Sequence, residues 1–331
     1  MLGIGLVGCG RVTQLFHHKA IQCVEGLRIA ALADPDPHQL RKTASKCGAI
    51  NTYTNYQDLL ADPSVDAIAV NTPPALHEEI TLAGLKAGKH VVCEKPLGES
   101  LEGFRRIMRL QEETGLTVFP VHNYAFTPCL NDLRQLVLGG SIGEVQRVKA
   151  SFENSLKLYR SCTRFRENRK LGVVEDLLPH LLSVVNPLAG RTQRLRSIWG
   201  RRENYPVCDN ATLEMESDRG VTVEMHMSWT TLIPRFSVEV VGEGGSLEVE
   251  LLKRPYDVKV KKRGGTPRVG AKSLTGLLEV ATLKHPGFAA MYRHFRDVVS
   301  GVEAPLFTLE DEYHIMLALE AASKAMEGLK W

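Results

Sequence analysis

The stretch from Gly88 to Gly98, GKHVVCEKPLG, indicates most about how this chain folds. Its apolar run Val91-Val92-Cys93 predicts a short buried strand. Glu94, Lys95 and Pro96 follow the run directly. Two charged residues in succession are an unusual end for a hydrophobic strand. We therefore expect Glu94 and Lys95 to have a function at the carboxyl end of this strand.

Similar short apolar runs recur from the N-terminus to about Pro120 and alternate with amphipathic segments. The runs are LGIGLVG, LRIAALAD, VDAIAVNT, HVVCEK and LTVFPV. Such alternation is typical of a parallel sheet with right-handed crossovers and helices on both faces. The sequence therefore predicts an α/β fold that begins with a Rossmann domain, a doubly wound parallel sheet, over residues 1–121.

The pattern changes after about Glu144 to longer alternating strands joined by glycine-bearing turns. These strands are EVQRVKASFEN, NATLEMES, GVTVEMHMSW, FSVEVVGEGG and SLEVELL. Alternation of this kind is typical of an antiparallel sheet with one face on a core. A helical segment, VEDLLPHLLSVVNPLAG, interrupts it, and helices are predicted over Gly287 to Ser300 and Leu309 to Leu329. We predict an α+β domain over residues 122–331 with a large, mostly antiparallel open sheet, its last helices being candidates to pack back on the first domain.

The composition favours a globular protein that acts on small molecules. A net charge of +3 on 331 residues indicates neither nucleic-acid wrapping nor a polybasic membrane anchor. No run approaches the roughly 18 apolar residues of a membrane helix. The 7 cysteines are scattered without C-x-x-C pairs or zinc spacing, so we expect reduced thiols, no metal site and a cytoplasmic location.

The first motif, LVGCGRVT, places Gly8-x-Gly10 between a predicted strand and a predicted helix that Arg11 and Val12 open. In this context glycines let the backbone approach a pyrophosphate at a helix N-terminus. Thr13 stands at the place of the third glycine of the dinucleotide fingerprint. The alternative interpretation is a tight strand-to-helix turn without a ligand.

The second strand ends at Asp34, 24 residues beyond Gly10, where an acid can bind both ribose hydroxyls of NAD. Pro35 cannot donate a backbone hydrogen bond to a 2'-phosphate, so this pair favours NAD over NADP. Arg11 and Arg41 keep NADP open as the alternative cofactor.

Two further strands end in polar residues, one at Asn71-Thr72-Pro73 and one at Glu94-Lys95-Pro96. Carboxyl ends of parallel strands meet at one edge of the sheet, which is where open α/β sheets bind ligands. We therefore expect both segments to contribute to the dinucleotide site.

The order GxGR, Asp34, TPPxxH, AGKHVVCEKP and GEV resembles the Gfo/Idh/MocA family of glucose-fructose oxidoreductases, inositol dehydrogenases and related sugar dehydrogenases. The resemblance implies that Glu94 helps hold the nicotinamide ribose, that Lys95 lies by the nicotinamide and the substrate hydroxyl, and that Pro96 follows a cis bond. The alternative for Lys95 is a solvated lysine at a strand end. The predicted cofactor site comprises Gly8, Gly10, Arg11, Val12, Asp34, Asn71, Thr72, Pro73, His77, Glu94 and Lys95.

A second motif, EDLLPHLL, places Asp176 and His180 four residues apart, on one face of a helix. Pro179 is expected in the first turn, where a missing N–H costs little. The family resemblance implies that this pair is catalytic. In that role His180 takes the hydroxyl proton, and Asp176 holds or contacts His180. The alternative is a helix N-cap for Asp176 and a buried structural histidine for His180.

Basic residues crowd the segment LKLYRSCTRFRENRK just before this motif. Arginine forks there can clamp a substrate carboxylate or phosphate, and Arg160 is our candidate substrate contact together with Lys95, Asp176 and His180. A solvated loop or a subunit contact is the alternative.

Together these features predict an NAD(P)-dependent oxidoreductase that acts on a secondary alcohol or ketone of a sugar, cyclitol or nucleotide-linked sugar. Two alternatives remain: a reductase of an imine or a linear tetrapyrrole, and a cofactor-sensing regulator without turnover. By family analogy, the open sheet predicts a homodimer or homotetramer.

Overall fold

The structure is a computed structural model that describes residues 1–48, 51–159, 170–262, 268–269 and 285–327. Its described residues form two compact units. Unit 1 takes them from Met1–Asn123 and Leu283–Tyr313, and unit 2 from Tyr124–Thr282 and His314–Trp331. Over these described ranges, no helix combines the length and apolar character needed to cross a membrane.

Unit 1 is built on a six-stranded parallel sheet in the order β3-β2-β1-β4-β5-β6. The central strands are almost entirely buried, as expected for a sheet covered on both faces. The order reverses between β1 and β4, which is the switch point where such sheets bind ligands. This confirms the predicted Rossmann fold. The strands are β1 Leu2–Val7, β2 Leu27–Ala33, β3 Asn51–Tyr53, β4 Ala67–Val70, β5 His90–Cys93 and β6 Val118–Pro120.

Local capping sets the ends of the helices that connect these strands. The Asp36 side chain accepts from the His38 N–H at the start of α2, and the Ser100 hydroxyl accepts from the Gly103 N–H at the start of α5. Gly115, with φ of +66°, ends α5 in the left-handed conformation that favours glycine. The helices are α1 His18–Cys23, α2 Pro37–Cys47, α3 Tyr56–Leu60, α4 His77–Lys86 and α5 Leu101–Thr114.

The sequence-based division at residue 121 offered the last helices as candidates to pack back on the first domain, and in the structure the segment Leu283–Tyr313 is grouped with unit 1. This segment contains the helix α9, Pro286–Val299, which follows helices α6 to α8 of unit 2 along the sequence. Aromatic packing explains the assignment, since Phe288 stacks on Phe16 with ring centroids 5.1 Å apart.

Unit 2 contains an eight-stranded mixed sheet in the order β14-β13-β12-β11-β7-β10-β9-β8. Only β7 and β10 pair in parallel; the other described neighbours are antiparallel, which confirms the predicted sheet type. The strands are β7 Val145–Ser155, β8 Thr192–Arg201, β9 Asn210–Ser217, β10 Thr222–Ser228, β11 Thr230–Gly242, β12 Gly245–Glu250, β13 Arg254–Lys262 and β14 Arg268–Val269.

The core of unit 2 lies between this sheet and the helix α8, Val173–Ala189. Gly172 precedes the helix with φ of +55°, and a Cβ there would lie 2.1 Å from the Cys208 carbonyl oxygen. That carbonyl accepts from the Val173 N–H at 2.8 Å, which fixes where the helix starts. The other helices are α6 Pro128–Leu138, α7 Leu156–Tyr159 and α10 Leu309–Glu327, of which α10 starts in unit 1.

This helix start corrects one prediction. Pro179 is in the interior of α8 rather than in its first turn, because the apolar residues Val173 and Val174 already belong to the helix. Asp176 is likewise inside the helix, so the N-cap alternative for it is wrong. Pro179 has no N–H, so the Glu175 carbonyl loses its donor within the helix.

Candidate active site

The turn after β1 carries the two glycines of the predicted pyrophosphate site. Gly8 has φ of +94°, and a Cβ there would lie 2.7 Å from the Asn71 carbonyl oxygen, so the position requires glycine. A Cβ at Gly10 would meet nothing within 4 Å, which leaves this backbone accessible to a ligand. The Thr13 hydroxyl donates to the Gly8 carbonyl at 2.6 Å and stabilises the turn.

The helical segment after this turn begins irregularly. Arg11 is exposed and Val12 is half-buried, and both precede a single wide turn of π-helix over Thr13–His17. The wide turn buries two consecutive histidines, His17 and His18. Such turns occur often at functional sites.

Asp34, directly after β2, lies against the glycine turn. One carboxylate oxygen, Oδ2, accepts from the Cys9 N–H at 2.7 Å, and Oδ1 accepts from the Asp36 N–H at 2.8 Å. Burial and the charge of Asp34 raise the pKa of the Cys9 thiol to about 12, so this thiol stays protonated. The half-buried carboxylate is thus placed beside the predicted pyrophosphate turn, where an acid can bind a ribose.

Polar atoms without partners mark the end of β4. Asn71 is only 7% exposed, yet its Nδ2 and Oδ1 atoms have no hydrogen-bond partner among the described residues, and neither does the buried Thr72 Oγ1. Buried polar atoms are rarely left unpaired in proteins. Together with the accessible backbone at Gly10, these donors and acceptors fit a bound dinucleotide. Pro73, the last residue of this group, is exposed.

His77 connects the two polar segments of the sheet edge. Its Nδ1 atom lies 2.7 Å from the Pro96 carbonyl oxygen, and its Nε2 atom lies 2.8 Å from the Thr72 carbonyl oxygen. The ring is 1% exposed. His77 therefore holds the loop after β4 and the loop after β5 together.

Glu94 and Lys95 follow β5 at this edge, and the bond from Lys95 to Pro96 is cis, as the family resemblance implies. The Glu94 Oε1 atom lies 3.1 Å from Nε2 of His17, and its Oε2 atom accepts from the Lys95 N–H at 3.3 Å. Burial acts to raise the pKa of Glu94, but the hydrogen bond from His17 and the charge of Lys95 bring this pKa below its ordinary value. Glu94 is therefore an ionised acceptor beside Lys95.

In unit 2, Asp176 and His180 lie one helical turn apart on α8. Between Val173 and Val185, only Glu175, Asp176 and His180 keep partial exposure, while the other residues of this stretch are buried. The accessible stripe of an otherwise apolar helix thus consists of two carboxylates and one imidazole. This arrangement places a carboxylate and an imidazole one turn apart on the same face of a helix.

Aromatic rings hold the imidazole of His180. Tyr124 meets it edge-on with ring centroids 5.1 Å apart, and Phe152 of β7 does so at 5.9 Å. Phe236 stacks on Phe152 at 4.3 Å and supports it from β11. The ring orientation is therefore set by packing as well as by the helix.

Comparison with known proteins identifies the family. Residues 2–122 match the profile of an oxidoreductase family with an NAD-binding Rossmann fold, named GFO_IDH_MocA, and residues 130–248 match the GFO/IDH/MocA C-terminal domain. The chain belongs to the Gfo/Idh/MocA family. It is therefore an NAD(P)-dependent oxidoreductase, and the recognition made from EKP and its neighbouring motifs is confirmed.

Two relatives of this chain are named as dehydrogenases. A D-apiose dehydrogenase from Paraburkholderia graminis is 26% identical over 268 residues, which cover 79% of this chain and 70% of the relative. An inositol 2-dehydrogenase from Ralstonia nicotianae is 26% identical over 267 residues, which cover 78% of this chain and 76% of the relative.

Solved structures share the fold over nearly the whole chain. An oxidoreductase from Agrobacterium radiobacter, in complex with NAD+, L-tartaric acid and magnesium, has a TM-score of 0.85 at 21% identity and covers 99% of this chain and 96% of its own. A variant 3-ketoreductase from Actinomadura kijaniata, in complex with NADP and TDP-benzene, has a TM-score of 0.81 at 20% identity and covers 98% and 97%.

The Gfo/Idh/MocA motifs did not reveal two polar residues in unit 2. Asn154 lies on β7, and Trp229 directly follows the end of β10. Both are buried, and Asn154 Oδ1 and Trp229 Nε1 have no hydrogen-bond partner in the part of the chain that the structure describes. An acceptor and a donor are thus left without a partner there. Only the tertiary structure distinguishes them from core residues.

Three further predictions concern the substrate clamp at Arg160, the cysteine thiols and metal binding. Arg160 and the basic residues up to Arg169 lie outside the described residues, so the substrate-clamp prediction stays a prediction. The six described cysteines form no disulfide. Within the described ranges, no three His, Cys, Asp or Glu side chains are grouped so as to hold a metal ion.

Proposed function

We propose that this enzyme moves a hydride between nicotinamide and a secondary alcohol or ketone carbon of a sugar, cyclitol or nucleotide-linked sugar. The observation that carries the proposal is the partly exposed stripe of Glu175, Asp176 and His180 on α8, whose other residues from Val173 to Val185 are buried. Alcohol oxidation needs a base within reach of the hydroxyl proton, and an imidazole oriented by a carboxylate is such a base. The named dehydrogenase relatives support this substrate class.

In this proposal the cofactor supplies hydride acceptance or donation when it is bound. His180 takes the hydroxyl proton during oxidation and returns it during reduction. Asp176, one turn earlier, stabilises the protonated imidazole. Lys95 places the substrate oxygen and stabilises its developing negative charge.

Cofactor contacts are proposed for the polar edge of unit 1. Backbone at Gly8 and Gly10, with Arg11 and Val12 behind it, receives the pyrophosphate. Asp34 binds the adenosine ribose and favours NAD over NADP. The remaining proposed contacts to the cofactor are Asn71, Thr72, Pro73, His77, Glu94 and Lys95.

Substrate hydroxyls need both donors and acceptors, and unit 2 supplies them. We assign Asn154 Oδ1 as an acceptor and Trp229 Nε1 as a donor to the substrate, because each is buried and lacks a partner in the described ranges. A polar substrate would remove that desolvation cost, whereas an apolar one would not. Arg160 remains our proposed contact for an anionic group on the sugar.

Assembly into a homodimer or homotetramer is proposed through the open face of the unit 2 sheet. This face alternates charge between strands: Lys149 of β7 lies 3.6 Å from Glu224 of β10, and Lys259 of β13 lies 3.3 Å from Glu248 of β12. Stripes of both signs on one face are complementary to those of a second copy related by a two-fold axis.

Unpaired thiols in all six described cysteines support a cytoplasmic location.

A substrate screen tests the proposed function. Sugars, uronates, cyclitols, nucleotide sugars, an imine and a linear tetrapyrrole are offered with the oxidised and the reduced forms of NAD and NADP, and the absorbance of the reduced nicotinamide is followed. Turnover that disappears in Lys95→Ala is expected for at least one member. Turnover only with an imine or a linear tetrapyrrole would support the reductase alternative. Tight NADH binding without turnover of any compound would support the regulator.

A further inference from the structure

Three side chains form a continuous buried hydrogen-bond chain behind the cofactor edge of unit 1. The Tyr292 hydroxyl lies 2.7 Å from Nδ1 of His17, and Nε2 of His17 lies 3.1 Å from Oε1 of Glu94. His17 and Tyr292 are 0% exposed, whereas the Glu94 side chain keeps 18% exposure. Only the Glu94 end of the chain therefore reaches accessible space.

Distant segments build this chain. His17 ends the wide helical turn Thr13–His17 that follows the glycine turn, Glu94 follows β5, and Tyr292 lies in α9. Phe288 of α9 meets the His17 ring edge-on with centroids 5.0 Å apart. The imidazole is thus held on two sides, by an aromatic contact and by its hydrogen bonds.

The direction of each hydrogen bond follows from the phenol. Burial, and after it the charge of Glu94, raises the pKa of Tyr292 well above 10, so the phenol keeps its proton. His17 Nδ1 is its hydrogen-bond partner, and we assign the phenol as the donor and this nitrogen as the acceptor. A neutral imidazole that accepts at Nδ1 carries its hydrogen at Nε2. Nε2 of His17 therefore donates to Glu94.

We propose that Tyr292 and His17 are positioning residues that hold the Glu94 carboxylate ionised and aimed at the cofactor. In this arrangement Oε1 accepts from His17, and Oε2, which also accepts from the Lys95 N–H, is the oxygen that receives a hydroxyl of the nicotinamide ribose. The inference rests on the proposed cofactor role of Glu94 and extends it to two residues that no motif indicates.

The charges around Glu94 support this role. The hydrogen bond from His17, the neighbouring Lys95 and the imidazole of His77 from α4 all act to lower the pKa of Glu94 against the effect of burial. Tyr292 completes the buried hydrogen-bond chain behind His17. Loss of the His17 donor would let burial dominate and favour a protonated Glu94. The hydrogen-bond chain does not conduct protons, because its inner end is the fully buried phenol of Tyr292.

The test measures NADH affinity by nicotinamide fluorescence in His17→Gln and His17→Asn. A glutamine amide reaches the position of Nε2 and keeps a donor for Glu94, whereas an asparagine reaches only the position of Nδ1. We expect His17→Asn to bind NADH about tenfold to a hundredfold more weakly, the range for a lost hydrogen bond to a charged group. His17→Gln is expected to stay within about threefold of the wild type.

Tyr292→Phe gives a second test that preserves the ring packing. Its NADH affinity is expected to fall by about threefold to tenfold at neutral pH, the effect of one neutral hydrogen bond, and the loss of affinity on acidification is expected to begin at a higher pH. Equal NADH affinity in His17→Asn and His17→Gln, or wild-type affinity with an unchanged pH profile in Tyr292→Phe, would overturn the inference.

Two measurements separate this inference from the cofactor assignment on which it rests. Thermal midpoints of all variants show whether a loss of affinity merely follows a loss of stability, which would make the role of His17 structural. Glu94→Gln is measured beside them. If Glu94→Gln binds NADH like the wild type, the cofactor role of Glu94 itself fails. If Glu94→Gln binds weakly but His17→Asn does not, only the positioning role fails.

Discussion

His77 and Pro96 are joined by a 2.7 Å contact between the ring Nδ1 and the Pro96 carbonyl oxygen. The opposite ring nitrogen lies 2.8 Å from the Thr72 carbonyl. One buried imidazole thus connects the two strand ends from which most of the proposed cofactor contacts come. Both bonds are donated together only when each ring nitrogen carries a hydrogen.

The first prediction concerns this connection. His77→Phe keeps an aromatic ring but removes both donors, so the carbonyl groups of Thr72 and Pro96 lose their partner. We expect the free energy of unfolding to fall by about 1–3 kcal/mol and NADH to raise the melting temperature less than in the wild type. Thermal melts with and without NADH measure both. His38→Phe, at an exposed histidine of α2, is the control and should match the wild type.

The sequence predicts the parallel sheet and its polar edge because both depend on local signals. Buried runs such as Val91-Val92-Cys93 are apolar without interruption, and the residues that follow them must meet at one edge. Strand β8 was not predicted because TQRLRSIWGR exposes side chains on both faces and lacks clear alternation. Strand β3 was missed because its three residues are mostly exposed.

Other parts of the site depend on contacts between segments far apart in sequence. His17 lies in a π-helical turn, which breaks the periodicity that would reveal its inward face. Tyr292 reads as an ordinary core residue of α9 until its partner 275 positions away is known. Pro179 was assigned to a first turn because proline is common there, but the contact between Val173 and Cys208 starts the helix earlier.

Cofactor choice gives the second prediction. We expect NADH to bind more tightly than NADPH, because the Asp34 carboxylate accepts from ribose hydroxyls and repels a 2'-phosphate. Asp34→Ala should weaken NADH binding and reduce the preference. Fluorescence titration of both cofactors decides this, and equal or tighter NADPH binding by the wild type would contradict it. Asp36→Ala, which removes only the cap of α2, should keep the preference and cost about 1 kcal/mol of stability.

A buried contact between a histidine and a glutamate gives the third prediction. His122 and Glu312 are 0% and 2% exposed, and His122 Nε2 lies 2.6 Å from Glu312 Oε2. Glu312→Leu removes one partner and should lower the free energy of unfolding by about 3–5 kcal/mol. Replacing both residues by apolar ones should cost much less than the sum of the single changes. Urea unfolding of the wild type, of each single apolar variant at His122 and Glu312, and of the double variant checks this. Additive effects would show that the two side chains are not coupled.

His285 gives the fourth prediction, on pH. Burial lowers the pKa of His285 to about 4 in the folded chain, from an ordinary value of 6.5. The unfolded state therefore binds the proton first as pH falls. Stability from this residue is complete above pH 6.5 and is lost between pH 6.5 and about 4, by roughly 3 kcal/mol in all.

The variant His285→Asn separates this effect from the general acid sensitivity of the protein. The His285 ring accepts from the Gly287 N–H and so caps α9, and asparagine can accept the same bond. The free energy of unfolding of His285→Asn should therefore decline less steeply than that of the wild type between pH 6.5 and about 4. Identical slopes in chemical unfolding at several pH values would show that His285 does not titrate in this way.

The last prediction concerns the groups that handle the proton. A hydride leaves a carbinol carbon efficiently only when the hydroxyl proton is removed as the carbonyl forms. On α8 the imidazole of His180 is the accessible base, and Tyr124 and Phe152 hold its ring in place. We expect His180→Ala and Lys95→Ala each to lower kcat by about two to four orders of magnitude, the usual contribution of a positioned acid–base or charge-stabilising group.

Cofactor affinity separates chemistry from folding in these variants. NADH dissociation constants should stay within about threefold of the wild type for His180→Ala, because His180 is not among the proposed cofactor contacts. His226→Ala, at a half-buried histidine of the same unit that contacts Thr212, is the matched control and should leave kcat unchanged. Near-normal turnover in His180→Ala on a confirmed substrate would show that the histidine is structural. The proton would then have to be taken by another group, and Lys95 would become the candidate base.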